Sequence, residues 1–198
     1  MRDADRRRLV DALAFALAAH GDQTRKGTEI PYVSHLLSVA GLVLEAGGDV
    51  AQAVAALLHD TLEDGEGVDE ERLRGEFGAD IAAIVAACSD VLPGDTRERK
   101  SPWGDRKRRY FAQLASAAPR VRLVAACDKL HNLRTLIADL RDQGPAALER
   151  FTASPEQTRW YHESAHALLR DALPPGMRFE FDALIEALRG FVARAEAP

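Results

Sequence analysis

His35 in PYVSHL, His59 and Asp60 at the head of HDTLED, and Asp128 in CDKLHNLR are side chains of the kinds that hold divalent metal ions. Two imidazoles and two carboxylates make a mixed nitrogen and oxygen set, suited to manganese, iron, zinc or a similar ion. An ion held with room left for water does chemistry on that water. More acid follows in the same block, at Glu63 and Asp64. The run from 49 to 64 reads as a helix that opens on Asp49 and is closed by Gly65–Gly67. On it His59 and Glu63 stand four apart on one face, and Asp60 and Asp64 repeat the step. Three carboxylates then crowd a helix end that is already electronegative, at a cost of a few tenths to about 1 kcal/mol each. No lysine or arginine lies nearby in sequence, and a bound cation would compensate. A solvated helix end is the alternative for Glu63 and Asp64. His59 and Asp60 follow the apolar AVAALL, and a half-buried aspartate needs a partner or a metal.

Asp128 sits in a similar setting. The segment 119–141 reads as a long amphipathic helix with Leu130, Leu133, Ile137 and Leu140 as its core stripe. Asp128, Asn132, Thr135 and Asp139 form a polar line beside that stripe, approached through the apolar LVAAC. An ion pair of Asp128 with Lys129 or Arg134 is the alternative to a metal.

The elements that must bring these residues together are helices. Alanine and leucine dominate, β-branched runs are scarce, and no segment reads convincingly as a strand. About eight or nine helices are expected, near 5–20, 34–46, 49–64, 69–77, 79–91, 104–117, 119–141, 155–172 and 178–194. The expected fold is all-α: a single-domain helical bundle over 1–198 with the metal site at its centre.

Composition narrows the function classes. The chain has 198 residues, 46% of them hydrophobic, which is ample for a core. A formal net charge of −5 argues against a general nucleic-acid binder. No stretch suits a membrane span, and no signal-peptide pattern follows MRDADRRR. Cys88 and Cys127 stand singly in apolar helices, as buried free thiols of a reducing compartment would, so a cytoplasmic location is expected. Arg97–Arg109 carries seven basic residues against two acidic ones, and either attracts a polyphosphate or is a solvated loop and helix start. Trp160, Tyr161 and His162 follow a helix start at Ser154 and Pro155; core packing is the expectation, with stacking on a base as the alternative. His131 and His166 lack ligand-like partners and read as ordinary helix residues, and His20 as the end of the first helix.

The order His, His-Asp, distant Asp resembles the HD superfamily of metal-dependent phosphohydrolases. RKGTEIPYVSHL, LLHDTLED and CDKLHNLRTL together resemble the hydrolase domain of RelA/SpoT-type enzymes, over about Leu9 to Leu169. That resemblance implies a manganese-dependent removal of pyrophosphate from the ribose 3′ position of (p)ppGpp. It implies His35, His59, Asp60 and Asp128 as metal ligands, and Glu63 with Asp64 as the pair that activates the attacking water. Arg25 and Lys26 would lie near phosphate and base, Asn132 and Thr135 in the nucleotide cleft, and Tyr32 is the aromatic of the PYxxH turn. From local sequence alone, Arg25 and Lys26 would be an exposed turn beside Gly27. Leu36 departs from the family pattern, which often has proline there, and Cys127 stands where alanine is usual. The chain resembles a standalone, hydrolase-only member, with a small-molecule guanosine polyphosphate as its partner. The rival readings are an HD phosphohydrolase of another nucleotide (a nucleotidase or NADPH phosphatase-like enzyme), a non-catalytic alarmone-binding module, and a structural zinc site.

Overall fold

The computed structural model describes residues 1–91, 99 and 101–195. Among them the helices are α1 Asp3–His20, α2 Val33–Glu45, α3 Val50–Leu58, α4 Thr61–Asp64, α5 Glu70–Phe77 and α6 Ala79–Cys88. They continue with α7 Trp103–Ala115, α8 Pro119–Gln143, α9 Pro155–Leu169 and α10 Pro175–Ala195. The described residues contain no strand, only one bridged pair, Thr24 with Pro31. The fold is all-α, as the sequence leads one to expect.

The apolar helix α3 lies at the centre. Asp49 accepts from the Gln52 N–H at 2.9 Å, and the Gln52 side chain accepts from the Asp49 N–H at 3.0 Å, closing a capping box. Every residue from Gln52 to Leu58 is buried, because α1, α2, α6 and α8 pack around it. Burying a leucine such as Leu58 stabilises the fold by about 1.5–3 kcal/mol. The stripe expected on α8 is also core: Leu130, Leu133, Ile137 and Leu140 are all buried. Gly144, at φ 67°, ends that helix in a conformation few other residues tolerate.

One expected element is two. The helix foreseen over 49–64 breaks at His59 and Asp60, between α3 and α4. The Thr61 hydroxyl donates to the Leu58 carbonyl at 2.7 Å, competing for an acceptor that a continuous helix would give to the N–H of residue 62. The break lets consecutive side chains, His59 and Asp60, turn to the same point, which a straight helix separates by about 100°. The helix expected over 79–91 stops at Cys88, and Ser89 and Asp90 lie buried outside it.

Candidate active site

Three elements deliver the four metal-type side chains. His35 comes from the first turn of α2, His59 and Asp60 from the α3–α4 break, and Asp128 from the middle of α8. The His35 Nε2 lies 3.3 Å from His59 Nε2, 3.5 Å from Asp60 Oδ2 and 3.2 Å from Asp128 Oδ1. The His59 Nε2 lies 3.1 Å from Asp60 Oδ2 and 3.6 Å from Asp128 Oδ1. Ligands at ~2.1 Å from one ion stand about 3.0 Å apart at right angles and about 3.4 Å apart in a tetrahedron. The spacing and donor set fit a divalent metal, and His35, His59 and Asp128 form a buried group able to hold one.

The partners of these groups prepare them for that task. The His59 Nδ1 lies 2.7 Å from the Ala56 carbonyl, which only accepts, so Nδ1 carries a hydrogen and Nε2 is the nitrogen turned to the cluster, the one a metal would take on loss of its proton. Asp128 Oδ2 accepts from the Lys129 ammonium at 2.6 Å, and Oδ1 accepts from the Asn132 amide at 2.5 Å. The Tyr32 hydroxyl donates to Asp60 Oδ2. Burial works against charging all three of Asp60, Asp128 and His59, but their neighbours prevail. Lys129 and His59 hold Asp128 well below the usual carboxylate range, His59 and His35 do so for Asp60, and the two aspartates raise His59. The ion pair weighed as an alternative for Asp128 therefore exists with Lys129, alongside the cluster. Arg134 instead pairs with Glu180 at 2.5 Å.

Beside the cluster, Glu63 accepts from the backbone N–H of Asp90 at 2.8 Å. Burial, then the charges of Asp90 and Asp60, push its carboxyl up to about 7. Glu63 and Asp64 both line a cleft of about 860 Å³ that adjoins the cluster through Tyr32, His131 and Asn132, a size suited to a small-molecule ligand. Arg25, Lys26, Tyr32, Asn132 and Thr135 line it too. Arg25 sits in a small turn, tied by its N–H to the Ile30 carbonyl at 2.8 Å, and its Nη2 donates to Asn132 Oδ1 and Thr135 Oγ1, each at 3.1 Å. Arg25 is thus half-buried and anchored to α8, while Lys26 is exposed as a turn residue would be.

Several cleft residues were not foreseen. His131, expected to be an ordinary helix residue, has its Nδ1 2.8 Å from His35 Nδ1 and lines the cleft. Burial, with His35 and Arg25 nearby, lowers its pKa to about 3, so it stays neutral. Tyr161 lines the cleft rather than the core, its ring 6.2 Å from Trp103 and 5.5 Å from Phe111, and Trp160 is 37% exposed. His162 is buried at the cleft wall. His166 bonds Asp182 at 2.6 Å, away from the site. His20 does end α1, and its ring also packs 4.9 Å from Tyr32. Arg97, Glu98 and Lys100 of the basic segment lie outside the described residues. Arg106 and Lys107 line the cleft and both bond the buried Asp90 carboxylate, whereas Arg108 pairs with Asp105 at the surface. The one signal for Asp90 was an aspartate at the end of an apolar helix.

In this all-α fold a buried His/Asp cluster able to hold a metal ion lies beside a cation-lined cleft. The HD domain family matches residues 12–154, and the chain belongs to that family. It is similar to guanosine-3′,5′-bis(diphosphate) 3′-pyrophosphohydrolase MESH1 of Xenopus tropicalis, 37% identical over 131 residues, covering 65% of this chain and 69% of that protein. A probable guanosine-3′,5′-bis(diphosphate) 3′-pyrophosphohydrolase of Synechocystis is 35% identical over 127 residues, 64% of this chain but 16% of that protein. Among solved structures, one described as a metazoan ortholog of SpoT that hydrolyzes ppGpp superposes with a TM-score of 0.71 at 27% identity, covering 93% of this chain and 96% of that one. The lmo0812 protein of Listeria monocytogenes, at 24% identity and a TM-score of 0.65, shares the fold, over 80% of this chain and 99% of that one.

Proposed function

We propose that the protein hydrolyses guanosine 3′,5′-bis(diphosphate) and its 5′-triphosphate analogue to GDP or GTP and pyrophosphate, with manganese held by His35, His59, Asp60 and Asp128. The observation that carries this reading is the convergence of those four side chains, each histidine lying 3.1–3.6 Å from the other and from both carboxylates, beside a cleft lined by Arg25 and Lys26. The similarity to proteins named for that reaction supplies the substrate class.

When bound, the ion supplies Lewis acidity to water and phosphate oxygens. Glu63, seconded by Asp64, accepts the proton of the attacking water; its raised pKa makes it a competent base near neutrality. The water oxygen bonds the phosphorus next to the ribose, the bond to the 3′ oxygen breaks, and that oxygen takes up a proton as pyrophosphate leaves. Arg25 and Lys26 offset negative charge on the phosphates, Arg25 as a planar fork oriented by Asn132 and Thr135. Tyr32 turns its ring to the cleft and its hydroxyl to Asp60, so it steadies a ligand as well as facing substrate. A cytoplasmic setting agrees with two buried free cysteines, whose thiols burial pushes up to about 12. No helix among the described residues is long and apolar enough to cross a membrane.

Incubating purified, manganese-loaded protein with ppGpp and separating the products tests the proposal. GDP with pyrophosphate is the expected outcome. Orthophosphate instead, or turnover confined to other nucleotides, transfers the same site to a nucleotidase or phosphatase activity.

A further inference from the structure

One end of the cleft gathers more positive charge than its neighbours neutralise. Among the described residues the Arg25 guanidinium bonds only the neutral oxygens of Asn132 and Thr135, and Lys26 has no carboxylate partner. Arg150 lines the same end, its side chain 15% exposed. A guanidinium offers five N–H donors, yet Asp139 is its one acceptor among the described residues, and its Nε is buried without any. The Arg150 guanidinium carbon lies 5.0 Å from the centre of the Phe151 ring, and the Lys26 nitrogen 5.7 Å from the same centre. The two cations thus meet at one ring. This crowding is built in, because a Cβ at Gly27, where φ is +73°, would meet Arg150 Cδ at 3.0 Å. The turn that carries Arg25 and Lys26 therefore rests on the Arg150 stem.

Helix α8 sets the order of these groups. Asp128 belongs to the metal cluster, Asn132 and Thr135 hold Arg25, and Asp139 holds Arg150. At ~1.5 Å per residue, Asp139 stands about 16 Å along the helix from Asp128. A nucleotide whose 3′-diphosphate sits at the cluster has its other phosphate chain free to run this way. Arg25, Lys26 and Arg150 against the one carboxylate of Asp139 at this end of the cleft draw in a multiply charged anion.

We propose that Arg150, with Lys26, receives the 5′ phosphate chain and makes the protein prefer the substrate with the longer chain. This rests on the reading of the site as a guanosine polyphosphate hydrolase. The test compares guanosine 3′-diphosphates carrying a 5′ mono-, di- or triphosphate. In the unmodified protein KM should fall as the chain lengthens. Arg150→Ala should raise KM for the triphosphate about tenfold, as loss of a charge-assisted bond does, and leave kcat and the monophosphate nearly unchanged. Arg150→Lys keeps the charge and the stem over Gly27, covers the case in which the alanine variant folds poorly, and should recover part of the preference. Asp139→Asn frees the guanidinium and should lower KM for the triphosphate. Equal losses on all three substrates, or an Asp139→Asn change in the same direction as Arg150→Ala, overturn the proposal. If no guanosine substrate turns over, the functional reading fails by itself, and calorimetric titration with inorganic tripolyphosphate decides the subsite. About tenfold weaker binding to Arg150→Ala, partly restored in Arg150→Lys, supports it, and equal binding to all three proteins overturns it.

Discussion

Asp128 is fixed from two sides, by Lys129 and Asn132, and faces both histidines. Asp128→Ala should abolish metal binding and turnover together. It also strands a buried lysine, so the metal-free variant should lose about 3–5 kcal/mol in denaturant unfolding. Glu63→Gln should behave differently: metal content measured by elemental analysis stays, and kcat falls by about 10²–10⁴-fold. The Glu63 carboxyl, raised to about 7, is a base above that value and protonated below it. Activity should therefore fall on the acid side, with a bound divalent cation drawing the midpoint to or below pH 7. In the metal-free protein the sign for stability is fixed by the same shift. A raised folded-state pKa means stability is retained below the unfolded carboxyl range and lost as pH rises through about 7. Metal-free Glu63→Gln should then melt above the unmodified protein at pH 8, with the gap closing toward pH 4. The ligand types and acidic pair were legible because each is declared by its own local sequence. His131 and Asp90 were not, since one is given meaning by His35 and the other by α7 and Glu63, all distant in the chain.

At the scale of elements, periodicity located most helices to within a few residues but missed the gap in 49–64. Apolar spacing carries no trace of a hydroxyl that takes a backbone carbonyl, which is what Thr61 does to Leu58. Gly65 guards the far side of that junction: a Cβ there would lie 2.4 Å from the Thr61 carbonyl oxygen, an overlap only backbone movement can relieve. Gly65→Ala should cost about 1–3 kcal/mol by chemical denaturation and, by shifting α4, lower kcat more than it changes KM. If the variant keeps both its stability and kcat, α4 does not need the contact-free glycine to place Glu63.

For the molecule as a whole, α2, the α3–α4 junction and α8 meet at the metal-type cluster. An ion there joins segments far apart in sequence and binds the folded chain alone. Chelation should lower the melting temperature, and at a hundredfold excess over Kd metal should restore about 2.7 kcal/mol. The all-α class and central cluster were legible from composition and three motifs. The cleft was not, because its wall is assembled from Arg25, Lys107, Arg150 and Tyr161 on separate elements.

The chain has two tryptophans, Trp103 and Trp160, and their rings lie 5.9 Å apart beside Tyr161 at the cleft. Its tryptophan emission therefore comes wholly from beside the site, so ligand arrival should be an optical event needing no label. Replacing Trp160 by phenylalanine leaves a single tryptophan, Trp103, in the cleft wall itself.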